Sequence, residues 1–427
     1  MEQRAEVVVI GGGVGGASLA YRLALAGVDV LVLEMSREFR DRVRGDVMYP
    51  WGVTAARDLG VLDVMLQGPA RRLPYWRTSF VGAPPPEPRE LQAEVGESAL
   101  TFFHPELQRA LLDAAADAGA RVVRGARATD LGRGAAGPRV GYRHRGERYS
   151  ASAALVVGAD GRNSAVGRWA GFQRRQDEPR LVFAGALLRG VTVPYTQRPA
   201  DTNQLYFHPS LGLLAMLLPV DEGHTRVYAG YHLASGRRPE VGSDLDAFLA
   251  LALEAGAPPE ALADAVAAGP LAAFDGADSW VEVPFAAGVA LIGDAAATSD
   301  PSFGSGMALT MLSAALLADE LLAARDAAGH LAGPALERAG AAYASRFAAA
   351  YGSVHRQVDW LTDFYRTPGP EADTLRTRLY PLHAAEPSRV PDVVGLGPAG
   401  KSDERARRVF LGEDDPGVQP VGDVTQD

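Results

Sequence analysis

The sequence predicts an α/β chain, α+β overall: a parallel sheet flanked by helices, a second region built on an antiparallel sheet, and helices toward the C-terminal end. Three observations carry this. The β-branched run Val7 to Ile10 leads through Gly11 to Gly16 into helix formers at Ala17 to Ala26, then out to a second β run, Val28 to Leu33, ending in Glu34. From Leu181 to Leu233 short apolar runs follow one another between turn residues such as Pro209-Ser210 and Asp221-Glu222-Gly223, the pattern of antiparallel strands. Beyond Gly306 the chain turns to long Ala/Leu-rich stretches that read as helices.

Taken in order, the first unit is βαβ. Extended segments at Tyr75 to Val81 and Thr101 to Phe103 flank a proline run, Pro84 to Pro88, which must lie in a turn or at an edge because proline donates no hydrogen bond. Helix is expected at Pro105 to Gly119, then short strands between glycine turns as far as Gly158. In the second region Asn203 to Phe207, Leu213 to Leu218 and Arg226 to His232 read as strands, and Ser243 to Ala273 as helix interrupted at Pro258-Pro259. Ala287 to Ile292 reads as a late strand that rejoins the N-terminal sheet, followed by helices from about Gly306 and from Pro334 to Tyr365. The expected division is 1–75, 98–175 and 281–366 for a discontinuous dinucleotide-binding domain, 76–97 and 176–280 for a substrate domain, and 367–427 for a C-terminal extension.

Composition narrows the function. The chain has 427 residues, 47% hydrophobic and 22% charged, which suits a globular protein with one large core and a second region against it. With 42 basic and 52 acidic side chains the formal charge is −10, which disfavours nucleic acid or an anionic bilayer as the main partner. The absence of cysteine removes disulfides, thiolate metal sites and thiol nucleophiles, so redox work must use a bound cofactor. Lys401 is the sole lysine, which leaves lysine-based mechanisms almost nothing to use. The histidines show no metal spacing, and no metal is expected. The apolar stretch Met307 to Ala324 is broken by Ser313, Asp319 and Glu320 and reads as a buried helix; a cytoplasmic protein is expected.

Three motifs carry chemistry. Gly11-Gly12-Gly13-Val14-Gly15-Gly16 fits G-x-G-x-x-G between a strand and a helix. Gly11 permits the tight turn, Gly13 lets backbone approach a pyrophosphate, Gly16 lets helix and strand pack closely, and the helix N-terminus attracts negative charge. Glu34, about 20 residues on, can accept hydrogen bonds from ribose hydroxyls and would repel a 2′-phosphate. The loop alone does not choose between NAD and FAD. Asp160-Gly161 follows the apolar strand Leu155 to Val157; taken alone it reads first as an ordinary turn between strands. Gly293-Asp294 follows Val289 to Ile292 and runs on to Pro301, Gly304, Gly306, Met307 and Ala308, where a helix presents free N–H groups.

The ordered set resembles the FAD-dependent aromatic hydroxylases, single-component flavoprotein monooxygenases with the p-hydroxybenzoate hydroxylase fold, over about residues 5 to 365. The resemblance implies a Rossmann-like FAD-binding domain with Gly11, Gly13, Val14, Gly15, Gly16 and Glu34 at the pyrophosphate and ribose. It implies Asp160 at a turn shared by FAD and pyridine nucleotide, Gly293 and Asp294 at the ribityl chain, and Pro301, Gly304, Gly306, Met307 and Ala308 beside the flavin. Arg44 corresponds to an arginine near the ribityl and flavin, and Gln108 to a helix residue at the ribityl or phosphate region. Ala297 and Ala308 depart from the histidine and asparagine often found at their places. The implied reaction inserts one oxygen atom of O2 into a small or polyketide-like aromatic or unsaturated substrate through a flavin C4a-hydroperoxide, with NAD(P)H as transient reductant. The helix beginning near Gly306 would place its positive end against the flavin N1–C2 region and favour its anion. No single acid–base residue stands out, and the catalytic side chains are left unassigned. Substrate contacts are expected from Tyr49 and Trp51 and from the sheet residues Tyr206, His208, Met216 and Tyr228. A homodimer stays open.

Other readings compete. A double-bond reductase of the geranylgeranyl type shares the fold without using oxygen. A flavin-dependent halogenase needs a lysine between flavin and substrate and a W-x-W-x-I-P segment, whereas Trp280-Val281-Glu282-Val283-Pro284 does not match. A scaffold that has lost its cofactor, as in Rab escort proteins, is opposed by the intact glycine loop, Glu34 and Asp294. An NAD-only dehydrogenase is disfavoured because a single βαβ fingerprint with a late Gly-Asp turn suits the longer FAD.

Overall fold

The computed structural model describes residues 2–43, 45–134, 137–193, 197–326, 329–331 and 333–414. From the N-terminus, β1 (Val7–Ile10) leads into α1 (Val14–Leu25) and back to β2 (Val30–Glu34). Next come α2 (Pro50–Asp58), β3 (Tyr75–Phe80), β4 (Arg89–Glu90), α3 (His104–Asp117) and β5 (Arg121–Arg124). β6 (Leu155–Gly158) and the short α4 (Ala165–Trp169) precede β7 (Leu181–Arg189), β8 (Thr202–His208), β9 (Leu213–Pro219) and β10 (Thr225–His232). The chain continues through α5 (Leu245–Glu254), β11 (Val266–Gly276), β12 (Phe285–Ala286) and β13 (Val289–Leu291), and then α6 (Gly306–Ala323), α7 (Gly333–Arg366) and α8 (Pro370–Ala385).

Two main sheets organise these elements. The first has the order β12-β13-β6-β1-β2-β5 and is parallel except for the edge pair β12–β13. Its central strands are buried on both faces, as a sheet covered by crossover helices requires, and Val7, Val8, Val9, Leu31, Val156 and Val157 are fully inside. The late strand does rejoin this sheet, with Val157 opposite Ala290. Gly11 and Gly16 make its first turn possible. Gly11 has φ +104° and a Cβ there would stand 2.3 Å from the Ala159 carbonyl oxygen; a Cβ on Gly16 would stand 2.1 Å from that of Gly11.

The second sheet runs β11-β7-β10-β9-β8-β3-β4 and is antiparallel except that β8 and β3 pair in parallel. One face packs on α5 through Ala184, Ala186, Leu213, Leu217, Val227 and Ala229. The other, carrying Leu181, Phe183, Leu205, Phe207, Leu214 and Leu218, joins the core of the first unit and forms the floor of the crevice between the sheets.

The helix expected over Ser243 to Ala273 ends early. Helix covers Leu245–Glu254 and, after the expected interruption, the short turn Pro259–Leu262; Val266–Gly276 then forms β11 instead, paired antiparallel with β7. Its Ala-rich composition favours helix, but Gly269-Pro270 cannot continue one, and proline is tolerated at this sheet edge beside a register shift opposite Ala186 and Leu188. Helix α6 is long and apolar enough to cross a membrane, yet it packs against α1, α2 and α7 with most of its surface inside the protein.

Candidate active site

The crevice is bounded on one side by two helix starts. α1 begins after Gly13, whose backbone is extended and whose position offers no side-chain cap, and its first turn holds no acid. Its leading N–H groups therefore have no protein carboxylate to answer them. A Cβ on Gly13 would meet only Gln108 Nε2, at 3.6 Å, so Gln108 leans over the loop from α3. Glu34 is buried at the end of β2; its Oε2 accepts from Gly12 N at 2.7 Å and its Oε1 from Ser36 N at 2.6 Å. Both oxygens thus sit at the mouth of the glycine loop.

The second start is α6. Ser305 at its cap makes no side-chain hydrogen bond, and a Cβ on Gly306 would meet nothing within 4 Å. Thr310, one turn along, ties this helix to both glycine motifs: a Cβ on Gly15 would stand 2.8 Å from Thr310 Cγ2, and one on Gly293 3.3 Å from it. Gly293 N donates to Ser313 Oγ at 2.8 Å, and Ser313 Oγ donates to the Thr310 carbonyl at 2.8 Å. Arg174 holds the other side of the Gly-Asp turn through the Asp294 and Ala295 carbonyls at 3.2 and 2.5 Å. Asp300 Oδ1 accepts from Ser302 N at 2.8 Å and steadies the turn that contains Pro301. Thr310, Ser313 and Arg174 carry no motif. A lone serine in an Ala/Leu helix was the one signal that could have marked Ser313.

Ala308 is explained by packing. A Cβ on Gly52 of α2 would stand 2.5 Å from the Ala308 Cα and Cβ, so a side chain larger than alanine would push the two helices apart. Met307 Sδ lies 3.2 Å from the Cβ position of Gly45, which puts the segment before α2 against the α6 entrance.

That segment is locked to the floor by buried charge. Arg226, fully buried on β10, donates from Nε to Asp46 Oδ2 at 2.7 Å and from one terminal nitrogen to Asp41 Oδ2 at 2.9 Å. Tyr228 donates to Asp46 Oδ2 at 3.1 Å, and Asp46 Oδ1 accepts from His104 N at 3.2 Å. Burial pulls the Arg226 guanidinium down, and Asp46 with Tyr228 and Asp41 more than offsets it, holding it above its ordinary value. Burial and then Asp46 push the Tyr228 hydroxyl well up, so it stays protonated. Between the two carboxylates Val43 takes φ +62°, a strained conformation for a β-branched residue, which the ion pairs on either side hold in place.

The expected residues fall into three groups. The glycine loop, Glu34, Gln108, Gly293, Asp294 and the 301–308 turn converge on the crevice. Arg44 lies outside the described residues. Asp160 is committed to α4: it accepts from Ser164 Oγ at 2.6 Å and from Ala165 N and Val166 N at 2.7 and 3.1 Å. Among the substrate positions, Met216 and Tyr228 pair on the floor, and Tyr49 reaches over it, its hydroxyl 2.8 Å from the Cβ position of Gly304 and its ring edge-on to Trp76. Tyr206 and His208 occupy alternate positions on β8 that point the other way, and Tyr206 packs in the α5 layer. Trp51 turns outward, donating to the Val393 carbonyl at 3.0 Å and lining a groove of about 450 Å³ with Leu316, Arg346 and Leu396. Asp177, Asp278 and His355 bring potential metal ligands within 4.8 Å of one another. Protein groups already occupy them, with His355 Nε2 2.7 Å from Asp177 and the Tyr351 hydroxyl on Asp278.

A long dinucleotide fits these features. Two uncapped helix starts, at Gly13 and Gly306, lie on one crevice with open space where a Cβ would stand or only an amide beside it, and a buried carboxylate flanks the first. The class is that of an FAD-binding flavoprotein. A sequence model of the FAD binding domain matches residues 4–340. The chain is 28% identical over 348 residues to the FAD-dependent urate hydroxylase of Klebsiella pneumoniae, covering 76% of this chain and 84% of that protein. It is 31% identical over 333 residues to a digeranylgeranylglycerophospholipid reductase of Methanothrix thermoacetophila, covering 75% and 78%. Its fold is similar to that of p-nitrophenol 4-monooxygenase PnpA from Pseudomonas putida DLL-E4, with a TM-score of 0.73, 16% identity and coverage of 97% and 98%. The chain belongs to the FAD binding domain family and is an FAD-dependent oxidoreductase.

Glu34→Arg is expected to weaken FAD by roughly 1.5 to 3 kcal/mol, the worth of charge-assisted hydrogen bonds. Quenching of flavin fluorescence on binding measures it. An unchanged affinity would place the adenosine ribose away from Glu34.

Proposed function

We propose that the enzyme is a monooxygenase that inserts one oxygen atom of O2 into a small aromatic or unsaturated substrate, with NAD(P)H as transient reductant. Bound FAD supplies the redox chemistry, accepting electrons from the reductant and activating oxygen. The protein positions, desolvates and polarises. Gly11, Gly13, Val14, Gly15, Gly16, Glu34 and Gln108 hold the pyrophosphate and ribose, and Gly293 and Asp294 hold the ribityl chain. The N–H groups at Gly306, Met307 and Ala308 offer the positive end of α6 to the flavin, worth roughly 0.3 to 2 kcal/mol for a negative charge there. Asp160 acts through the α4 turn. The regions 1–75, 98–175 and 281–366 form the FAD unit, and 76–97 and 176–280 the substrate unit. The two other G-x-G-x-x-G runs, Gly132 to Gly137 and Gly395 to Gly400, do not join a parallel strand to a helix, the first falling between the antiparallel strands Ala126–Gly134 and Gly137–His144, so NAD(P)H docks transiently and directly on the flavin side of the crevice. A cytoplasmic enzyme, acting alone or as a homodimer, matches this reading.

The observation that carries a small polar substrate is the floor itself. Arg226, Asp46 and Tyr228 are buried there beside Met216. A long isoprenoid would strand such groups against hydrocarbon, which is costly. The reductase reading keeps specific support, identities of 31 to 32% to several archaeal lipid reductases. Product mass separates the two. A panel of phenolic, heteroaromatic and polyketide aromatics is expected to stimulate NAD(P)H oxidation and yield a product heavier by one oxygen; a product heavier by two hydrogens would establish the reductase. Turnover that requires a separate flavin reductase would remove the single-component part.

A further inference from the structure

Asn203 is fully buried on β8, and neither its amide nitrogen nor its oxygen has a hydrogen-bond partner. Because both atoms are unpartnered, the orientation given to the amide does not matter. Strand alternation puts Asn203 on the same face as Leu205 and Phe207, the floor, opposite to Tyr206 in the α5 layer. Its neighbour across the parallel pair is Trp76, whose ring meets Tyr49, and the Tyr49 hydroxyl reaches the Cβ position of Gly304 at 2.8 Å. Asn203 therefore lies on the floor beside Trp76, on the same strand face as Phe207, whose ring stacks on Phe303 of the turn that leads into α6. Two strands away on the same floor, the fully buried Arg226 also leaves one terminal nitrogen, Nη1, without an acceptor. Leu218 of β9 lies opposite Arg226, and Met216, two residues along the same face and opposite Leu205 and Tyr228, is the one residue of β9 that is not buried.

Structure alone gives no reason for a carboxamide here. An unanswered buried amide is destabilising, and leucine, of nearly the same shape, would remove the penalty. A carboxamide presents a donor and an acceptor side by side. Its complement is a group with an acceptor and a donor side by side: a lactam, an imide, or a hydroxyl next to a carbonyl. A carboxylate, which only accepts, matches it poorly. The Arg226 charge does not compensate, because Asp41 and Asp46 already outnumber it.

We propose that Asn203 is a specificity-determining residue that reads an N–H or O–H adjacent to a carbonyl on the substrate ring, with Arg226 Nη1 as a further donor on the same floor. This rests on the monooxygenase site described above. The test uses FAD-loaded protein with two probes, oxindole, a lactam, and N-methyloxindole, which keeps the ring and carbonyl but lacks the donor. Perturbation of the visible flavin spectrum gives each dissociation constant. The wild type is expected to prefer oxindole by roughly 10- to 100-fold, the worth of a lost buried hydrogen bond. Asn203→Leu is expected to bring the ratio near one through the oxindole constant alone. Equal affinities in the wild type, or an unchanged preference in Asn203→Leu, would overturn the proposal. FAD content reports folding: should Asn203→Leu lose FAD, Asn203→Ala, which removes both the donor and the acceptor without adding bulk, takes its place with the same expected ratio. Loss of FAD in both would make the amide structural and end the proposal. A wild type that takes up no FAD would defeat the underlying site instead.

Discussion

Gly306→Val is expected to leave the fold intact while uncoupling the enzyme. A Cβ at this position meets nothing within 4 Å in the protein, and Gly306 does not occupy the left-handed region, so the chain itself accepts valine. Replacing glycine in a helical first turn costs nothing in propensity. Any large effect must come from what fills the open space. In the proposed function that space belongs to the flavin, facing the first N–H groups of α6, and a β-branched side chain displaces it from them. The glycine loop at Gly11 lies at the other helix start, so FAD is expected to bind with moderately reduced affinity. The ratio of hydroxylated product to NAD(P)H consumed is expected to fall about tenfold or more, equivalent to ~1.4 kcal/mol, with hydrogen peroxide released in its place. The measurements are that ratio, FAD affinity and thermal midpoint in wild type and variant. Unchanged coupling would mean that α6 does not wall the reacting face. A lower midpoint in the absence of FAD would mean that Gly306 has a packing role the geometry does not show.

What the sequence revealed and what it concealed follow from one physical distinction. Constraints written in the backbone are legible, because only glycine lacks a Cβ: Gly11 and Gly16 sit where a side chain would collide with carbonyl oxygens 2.3 and 2.1 Å away. The βαβ unit, the late strand and the α6 start were readable for that reason. Side-chain contacts between distant segments are not. Arg226 and Asp46 are 180 residues apart, and nothing local to either announces the other. The substrate floor was ambiguous for a different reason. Both faces of the second sheet are buried, one by α5 and one by the first unit, so the period-two pattern shows two apolar sets without showing which faces inward. Tyr206 and His208 therefore looked as suitable as Met216 and Tyr228, and Asn203 passed as a polar residue in an apolar strand. Val266–Gly276 is a tertiary override: an Ala-rich segment becomes an edge strand because β7 needs a partner there.

Arg226→Met is expected to be the most destabilising single change in the crevice. Arg226 and Asp46 have no exposed side-chain surface, and Asp41 little, so removing the guanidinium leaves two carboxylates in a site from which water is excluded. Breaking a buried ion pair by deleting one partner costs about 3 to 5 kcal/mol, most of it the penalty on the charge left behind. The Tyr228 hydroxyl and His104 N–H still answer Asp46, which places the expected loss toward the lower end of that range. The decisive comparison is a double-mutant cycle. Asp46→Asn alone removes a charge that Arg226 needs, whereas Arg226→Met with Asp46→Asn removes both, so the double variant is expected to be clearly more stable than the sum of the single losses, by at least about 1 kcal/mol. Denaturant midpoints with unchanged slopes provide the measure. The same cycle tests the link to function. These ion pairs hold Val43 at positive φ and Gly45 against Met307 at the α6 entrance, so Arg226→Met is expected to loosen FAD as well, and the double variant to recover only stability. A loss below about 1 kcal/mol for Arg226→Met, or strict additivity in the cycle, would show that the buried charges are solvated or paired elsewhere and do not lock this segment to the floor.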